Sequence, residues 1–189
     1  MINNNLKCVV CLPVMNCSDF LPYIFKNLII IKSLFVKLVI IFGYDNSKDN
    51  TLELINNFKN NYNDIKIHII KNKNRRYRYR THTLEYIRNT MLKFTVQNYS
   101  HFDFYIAMDS DDVNKIPIKI DILQKHISNF DKWDILTFNK VDYYDIWALQ
   151  FDKIIHHVRC FGTNSGFVVD FVKNMIKSKL NKLNKSEYL

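Results

Sequence analysis

The sequence predicts an α/β fold with a mostly parallel central sheet. Short apolar runs rich in Val, Ile and Phe recur along the chain, as in buried strands, and segments with the apolar spacing of helices separate them. Strands that alternate with helices of this length form βαβ units, and ligands bind beyond the carboxyl ends of such strands. With 189 residues, of which 48% are hydrophobic, the chain is long enough to bury one core. We therefore expect a single three-layer α/β/α domain over residues 1–189, with a Lys- and Asn-rich tail at 173–189.

Five segments have the composition or the alternation of strands. They are 7–14 (KCVVCLPV), 36–42 (VKLVIIF), 65–70 (IKIHII), a fourth within 101–114 (HFDFYIAMDSDDVN) and 133–138 (WDILTF). The first of the intervening helices is predicted to run from an N-cap at Ser18 to about Leu34. Its apolar stripe consists of Leu21, Ile24, Phe25, Leu28 and Ile31. The other predicted helices span about 51–58, 81–97 and 118–128.

The overall charge and the cysteines narrow the class of protein. A formal net charge of +9 means that the molecule attracts anions such as nucleic acid, acidic membranes or phosphorylated small molecules. Lysines interrupt the apolar stretch at 23–44, so we expect no transmembrane segment, while the basic surface allows peripheral contact with a membrane. No secretory signal precedes the cysteines, which indicates a reducing, cytoplasmic location. Cys8 and Cys11 are three residues apart on a strand and point to opposite faces, which favours core thiols over a zinc site.

An acidic cluster follows the fourth predicted strand. Asp109, Asp111 and Asp112 would repel one another in a dry site, so either a positive ion lies between them or water covers them. Two carboxylates one residue apart at a strand end suit Mg²⁺ or Mn²⁺, which keeps positions open for substrate phosphates. With only three glycines the chain has no Gly-rich phosphate loop, so cations must hold any bound phosphate. The alternative is a solvated, Asp-rich turn with Asp112 as a cap.

Two more polar clusters carry open alternatives. In YDNSKDNT (44–51), Asp45 is suited to bind a base or ribose and Asp49 or Asn50 to cap the next helix, and capping alone explains most of the cluster. In RRYRYRTHTLEYIRN (75–89), arginines interleaved with tyrosines are typical of a nucleic-acid-binding surface. Arg80 and Arg88 equally suit a diphosphate, and a solvated charged face is the third interpretation.

A last cluster, VDYYDIWAL (141–149), follows the fifth predicted strand. Aromatic rings beside Asp142 and Asp145 make a sugar platform, because ring faces stack on sugars and carboxylates bind hydroxyl groups. Packing of Tyr143, Tyr144 and Trp147 in the core explains the same residues.

The order of these pieces resembles a GT-A type glycosyltransferase. The motifs are CLPVMN, YDNSKDNT, RTHTLEYIRN, DFYIAMDSDDVN, WDILTFN and YYDIWAL, and together with the intervening chain they cover residues 6–167. The sequence is most similar to the group of the fungal capsule-associated alpha-1,3-mannosyltransferases, which has relatives in large viruses and bacteria. The resemblance implies a Rossmann-like GT-A fold and a hexosyltransferase activity.

The resemblance also implies partners and roles. The donor is a nucleotide-diphosphate sugar, either a UDP- or a GDP-sugar, the acceptor is a glycan or another hydroxyl compound, and no nucleic acid is expected. By similarity the donor is bound by residues from three motifs: Pro13, Asn16, Asp45, Asn46, Arg80, Arg88 and Asn89. Asp109 and Asp111 match the metal-binding DxD pair, which holds Mn²⁺ or Mg²⁺. Asp145 is the candidate general base, with Tyr144 and Trp147 on the acceptor or sugar side.

The sequence also departs from this family. Relatives continue past the match to VRCFGTNSGF (158–167) into a region that supplies an acidic pair and a His, whereas this sequence stops at SEYL, and Thr163 and Asn164 stand where a Gly is common. An inactive, nucleotide-binding remnant is therefore one alternative.

Two other classes of protein compete with the glycosyltransferase. DSDDV fits the nucleophile loop of haloacid-dehalogenase-like phosphatases, with Asp109 as the nucleophile, but that motif lacks its usual context here. A basic nucleic-acid-binding protein that uses 75–80 is the alternative outside the enzymes, and it does not need Asp109 or Asp111.

Overall fold

A computed structural model describes residues 5–73 and 80–136, and all of its regular elements belong to one compact unit, Met1–Asp134. The strands are β1 (Lys7–Val14), β2 (Lys37–Tyr44), β3 (Lys66–Lys71) and β4 (Phe104–Ala107). The α-helices are α1 (Leu21–Lys32), α2 (Thr51–Asn61), α3 (Arg80–Tyr99) and α4 (Ile120–Ile127). Short 3₁₀ turns span Asp112–Asn114 and Phe130–Lys132. The prediction of one domain over 1–189 remains a prediction.

The four strands form one sheet in the order β3-β2-β1-β4, and every pair is parallel. The predicted parallel α/β sheet is therefore confirmed. The chain adds β2 and β3 on one side of β1 and then crosses over to place β4 on the other side. In doubly wound sheets this reversal of strand order opens a crevice at the carboxyl ends of the two strands concerned, here β1 and β4.

Helices cover both faces of the sheet, as predicted for a three-layer fold. On β1, Cys8, Val10 and Leu12 pack with the apolar sides of α1, α2 and α4. The alternate residues Val9 and Cys11 face the other layer, where they pack with α3. Because successive side chains of a strand point to opposite faces, the central strand is buried on both sides. Cys8, Cys11 and Cys17 are buried free thiols. Cys8 packs in the layer of α1, α2 and α4 and Cys11 packs in the layer of α3, which confirms the prediction that they point to opposite faces of the sheet.

Two predicted details are wrong. Ser18 does not cap α1: Phe20 is the N-cap residue and makes no side-chain cap bond, and the helix ends at Lys32 rather than at Leu34. The backbone N–H of Ser18 is instead held by a carboxylate oxygen of Asp49, at 2.9 Å, in the next loop. The loop between β1 and α1 is thus shaped by contact with a neighbouring loop, a non-local effect that sequence spacing does not report.

The second wrong detail concerns the first four residues of the predicted fifth strand, 133–138. Residues 133–136 form no strand, while 137 and 138 lie outside the described residues. Trp133 turns back on α4, where its indole nitrogen donates to the carbonyl oxygen of His126 at 3.1 Å, and its ring lies 5.9 Å from that of Phe104. Within 5–73 and 80–136, no helix is both long and apolar enough to cross a membrane.

Candidate functional site at the carboxyl edge of the sheet

The loops after β1 and β2 are fastened to each other at the carboxyl edge. Asn16 has a φ of 50°, in the left-handed region that Asn tolerates better than most residues. Its backbone N–H donates to the hydroxyl of Ser47 at 3.0 Å, and its side-chain oxygen accepts from the backbone N–H of Lys48 at 2.7 Å. Asn16, which sequence similarity placed beside the donor, therefore joins the two loops through its backbone and its side-chain oxygen.

Asp49 makes a second link between the same loops. Its carboxylate accepts from the backbone N–H groups of Ser18, at 2.9 Å, and Thr51, at 3.1 Å. Partial burial acts to raise its pKa, but hydrogen bonds from Thr51 and Ser18 outweigh burial and lower the pKa to about 2. Asn50 is the N-cap residue of α2 and makes no side-chain cap bond, so the predicted capping role falls to Asp49.

Asp45 lies directly after β2, as predicted. Its backbone N–H extends the sheet by donating to the carbonyl of Val14 at 3.0 Å. Its carboxylate accepts from the N–H of Asn46 at 2.9 Å and from the side chain of Asn72, beyond β3, at 3.2 Å. These bonds hold the half-buried Asp45 carboxylate across the ends of β2 and β3, while Asn46 is exposed.

The acidic loop begins where β4 ends. The N–H of Met108 continues the ladder by donating to the carbonyl of Cys11 at 3.0 Å. Ser110 is buried, and its hydroxyl donates to the carbonyl oxygen of Pro13 at the end of β1. Asp109 and Asp111 flank this buried anchor, so the serine in the DSD sequence pins the loop to β1 at the crevice between β1 and β4.

The Asp111 carboxylate has an unfavourable electrostatic environment. Burial raises its pKa, and the negative charges of Asp109 and Asp112 raise it further, against a hydrogen bond from the N–H of Val113 at 3.2 Å. Through its bond to Val113, Asp111 caps the 3₁₀ turn at Asp112–Asn114. The alternative interpretation of this cluster, with Asp112 as the cap, is therefore wrong about which residue caps the turn. A positive ion beside Asp111 would relieve this repulsion.

Helix α3 brings one of the predicted arginines to the acidic loop. The Arg88 guanidinium lies 2.6 Å from a carboxylate oxygen of Asp109, and each side chain is about half exposed, at 49% and 48%. Arg80 opens the same helix and Asn89 follows Arg88, and both are exposed. Neither forms a hydrogen bond or ion pair with Asp109 or Asp111. Of the predicted donor-side group on α3, the structure therefore joins only Arg88 to the acidic loop.

Sequence analysis missed a buried residue that organises this loop. The side chain of Asn27, in α1, is 1% exposed and donates to the carbonyl oxygens of Asn114, at 2.8 Å, and Ile116, at 2.9 Å. Its oxygen accepts from the N–H of Ile118 at 3.0 Å. Asn114 in turn donates to the backbone carbonyl of Asp109 at 2.7 Å. The signal was an amide inside the apolar stripe of α1, since a buried amide needs partners.

The acidic loop offers two carboxylates to a metal ion, not a complete cage. In the described part of the chain no group of three or more His, Cys, Asp or Glu side chains is placed to hold a metal. Mg²⁺ and Mn²⁺ sites that bind substrate phosphates commonly use one or two carboxylates, with water and phosphate oxygens as the other ligands. The pair Asp109 and Asp111 therefore suits such an ion by number and type. Asp145, Tyr144 and Trp147 lie outside the described residues.

Comparison with known proteins gives a likeness in fold only. No protein-family model matches the chain, and no curated protein sequence does either. The crystal structure of TarS from S. aureus, a glycosyltransferase, matches with 18% identity and a TM-score of 0.43, over 67% of this chain and 20% of TarS. A crystal structure of TarS 1–349 matches with 20% identity and a TM-score of 0.43, over 67% of this chain and 33% of the other.

This chain thus spans a fifth and a third of the length of the two matched chains. A likeness at this TM-score and identity assigns neither a family nor a reaction to this chain. By its fold, the chain is a doubly wound α/β protein with an acidic loop at the crevice between β1 and β4.

Proposed function

We propose that this chain is a metal-dependent glycosyltransferase domain that binds a nucleotide-diphosphate sugar at the carboxyl edge of its sheet. The observation that carries the proposal is the position of the acidic loop. Asp109 and Asp111 follow β4 beside the reversal of strand order, and Arg88 reaches the same loop from α3. Carboxylates and a guanidinium at such a crevice suit a divalent ion and the diphosphate that accompanies it.

The residues of the loop have separate tasks in this proposal. Asp109 and Asp111 would hold Mn²⁺ or Mg²⁺, which neutralises charge that develops on the leaving nucleoside diphosphate. Arg88 supplies a fixed positive charge on the donor side. Ser110, anchored to Pro13, keeps the loop in position against β1.

The remaining donor contacts come from the loops after β1 and β2. The hydrogen-bonded links through Asn16 and Asp49 make these two loops one rigid wall of the crevice. The side chain of Asp45, held across the ends of β2 and β3, is the candidate acceptor for hydroxyl groups of the ribose or for the base. A rigid wall of this kind lowers the entropy lost when the donor binds.

The finer parts of the proposal rest on sequence similarity. They are the relation to capsule-associated mannosyltransferases, the choice of UDP or GDP, the glycan acceptor, and the roles of Asp145, Tyr144 and Trp147. A chain that binds the donor without transferring sugar is the alternative within the same family, and it requires the same donor site.

The experiment that tests the proposal is a thermal-shift screen of UDP-, GDP- and CMP-sugars with and without Mn²⁺. A ligand at one hundred times its dissociation constant adds about 2.7 kcal/mol of stability, a rise in Tm of roughly 5–10 °C for a domain of this size. We expect a metal-dependent shift with one nucleotide and its loss in Asp111→Asn, in which an amide oxygen still accepts from the N–H of Val113. Asp121→Asn, the same change on the exposed side of α4, is the control.

The result also separates the competing functions. A shift that persists in Asp111→Asn, or no shift with any donor, contradicts the proposal. A shift without release of free nucleoside diphosphate during incubation with acceptors identifies a binding remnant. Binding to RNA that weakens steeply with salt and is unchanged by Asp111→Asn supports the nucleic-acid alternative.

A further inference from the structure

The ion pair between Arg88 and Asp109 uses a carboxylate that the proposed function assigns to the metal. The guanidinium lies 2.6 Å from the Asp109 oxygen, so a divalent ion and Arg88 compete for the same negative charge. In contrast, Asp111 accepts from a backbone N–H and forms no ion pair in the described part of the chain. The two carboxylates of the loop therefore differ before any metal binds: Asp109 is paired with the cation of Arg88, and Asp111 is not paired with a cation.

The strength of this ion pair makes exchange feasible. Both partners are about half exposed, and exposed ion pairs contribute only about 0–1 kcal/mol because water competes for the charges. A divalent ion carries twice the charge of a guanidinium and therefore interacts more strongly with the same carboxylate. Arg88 can therefore leave Asp109 without a large loss of stability.

The backbone around Arg88 is fixed, which limits the exchange to its side chain. The neighbours Ile87 and Met91 are buried, and α3 packs so closely on β2 that a Cβ built on Gly43 would lie 2.7 Å from a side-chain atom of each. Arg88 thus projects from a helix that is held against the sheet. Its flexible guanidinium pairs with the carboxylate of Asp109, and the same planar group suits the oxygens of a phosphate equally well.

We infer that Arg88 is a resident counter-ion of Asp109 that moves to the donor diphosphate when a divalent ion takes its place on the carboxylate. This inference rests on the proposed function and adds how its two ligands are coupled. Metal alone binds a few-fold more weakly than it would to an unpaired Asp109, because it must displace Arg88. Metal with nucleoside diphosphate binds well, because the displaced guanidinium gains a new partner.

The test measures Mn²⁺ binding by the electron paramagnetic resonance signal of the free ion, without and with UDP or GDP. In Arg88→Gln we expect Mn²⁺ alone to bind about two- to fivefold more tightly than in the wild type, since its competitor is gone. The nucleoside diphosphate, in the presence of Mn²⁺, should bind about tenfold more weakly, because a charge-assisted pair with phosphate is lost. The enhancement of Mn²⁺ binding by nucleotide should shrink accordingly.

Two controls separate displacement from general electrostatics and locate the metal. Lys93→Gln removes one positive charge from an exposed position on the same helix, and we expect its Mn²⁺ affinity to stay within about twofold of the wild type. Asp109→Asn should abolish Mn²⁺ binding. Unchanged melting temperatures for these exposed substitutions would show that the variants remain folded.

Three results of the Mn²⁺-binding measurements would overturn the exchange. Equal Mn²⁺ affinity in wild type and Arg88→Gln, with weakened nucleotide binding, overturns the exchange and leaves the proposed donor site intact. An equal rise in Mn²⁺ affinity in Arg88→Gln and Lys93→Gln also overturns the exchange, because the lower net charge of the protein alone would then explain it. Absence of Mn²⁺ binding in every variant, with and without nucleotide, overturns the proposed function and the exchange together.

Discussion

The side-chain amide of Asn27 in α1 donates to the backbone carbonyl of Asn114 at 2.8 Å, and this bond connects the core of the protein to its acidic loop. Asn27 also binds the backbone at Ile116 and Ile118, so every polar atom of a buried side chain is used. The loop after the 3₁₀ turn is therefore held by a residue that is distant in sequence and has no access to ligand. The hydrogen bonds of Asn27 should therefore determine how precisely Asp109 and Asp111 are positioned before a ligand binds.

Replacing Asn27 by Leu should destabilise the protein by roughly 2–4 kcal/mol. Two carbonyls and one N–H lose their partner, and each buried polar group left unsatisfied costs about 1–3 kcal/mol, less where the loop can turn to water. Urea unfolding of Asn27→Leu and of the exposed control Asn57→Leu measures the difference. Equal stabilities would mean that the amide does not hold the loop.

Replacing Gly43 by Ala should cost about 1–3 kcal/mol through overpacking. The new Cβ would lie 2.7 Å from atoms of both Ile87 and Met91, so α3 or these side chains must move. Met91→Ala makes room, and the double variant Gly43→Ala with Met91→Ala should therefore lose less stability than the sum of the two single changes. A double-mutant cycle that is simply additive would rule out this contact as the cause.

Stability should decrease as the pH falls below about 6.5, in part because of His68. Burial lowers the pKa of His68, and the positive charges of Lys66 and Lys59 lower it further. Its ring packs against the rings of Phe94 and Tyr99, which also contact each other, and is hydrogen-bonded to the Tyr99 hydroxyl at 2.6 Å. Since the folded pKa is below the unfolded value of about 6.5, the neutral ring's contribution is complete above that pH.

As the pH falls from about 6.5 to the folded pKa of His68, the unfolded chain binds the proton more readily and stability is lost. Unfolding midpoints between pH 7.5 and 5 in wild type and His68→Gln measure the effect. The slope should be smaller in His68→Gln and unchanged in the exposed control His101→Gln. The same slope in His68→Gln as in the wild type would assign the pH dependence to other groups.

Removing the carboxylate of Asp49 should loosen the wall formed by the first two loops. Asp49→Ala leaves the N–H groups of Ser18 and Thr51 without their acceptor and should cost about 1–2 kcal/mol, as for other lost helix caps. Because the folded pKa is about 2, the contribution is present above the unfolded value of about 4 and is lost as the pH falls toward 2.

Unfolding at pH 7 and pH 2.5 tests this sign. The difference between wild type and Asp49→Ala should be largest at pH 7 and reduced at pH 2.5. Asp19→Ala removes an exposed carboxylate from the neighbouring loop, next to Ser18, and should change stability little at either pH. A difference at pH 2.5 as large as that at pH 7 would show that the charge of Asp49 is not what matters.

The regular part of the fold was predictable because its signals are local. Strands β1, β2 and β3 are continuous apolar or alternating runs, and α3 has helical spacing over many turns, so their type followed from periodicity. Helix α1 began later than predicted because the Ser18 cap was replaced by a contact with Asp49, which depends on the fold. The WDILTF run has strand composition, yet at 133–136 packing of Trp133 on Phe104 prevails over that propensity.

The candidate site was predictable in part for the same reason. The rule that ligands lie beyond the carboxyl ends of parallel strands selected Asp45, Asn46, Asp109 and Asp111, and all four lie at that edge. The Arg88–Asp109 pair depends on how α3 is rotated over the sheet, which no local pattern specifies. The roles of all these residues toward a ligand stay predictions.

The thiols on β1 make the two layers of the protein separately observable. The reactive form of cysteine is the thiolate, and burial raises the pKa of both Cys8 and Cys11, so a thiol reagent reacts only when the surrounding layer opens. Cys8 faces α1, α2 and α4, whereas Cys11 faces α3 and contacts Thr95. Labelling rates at the two positions, resolved by mass spectrometry, would therefore reveal whether the layer that carries Arg88 opens independently of the layer that carries Asn27.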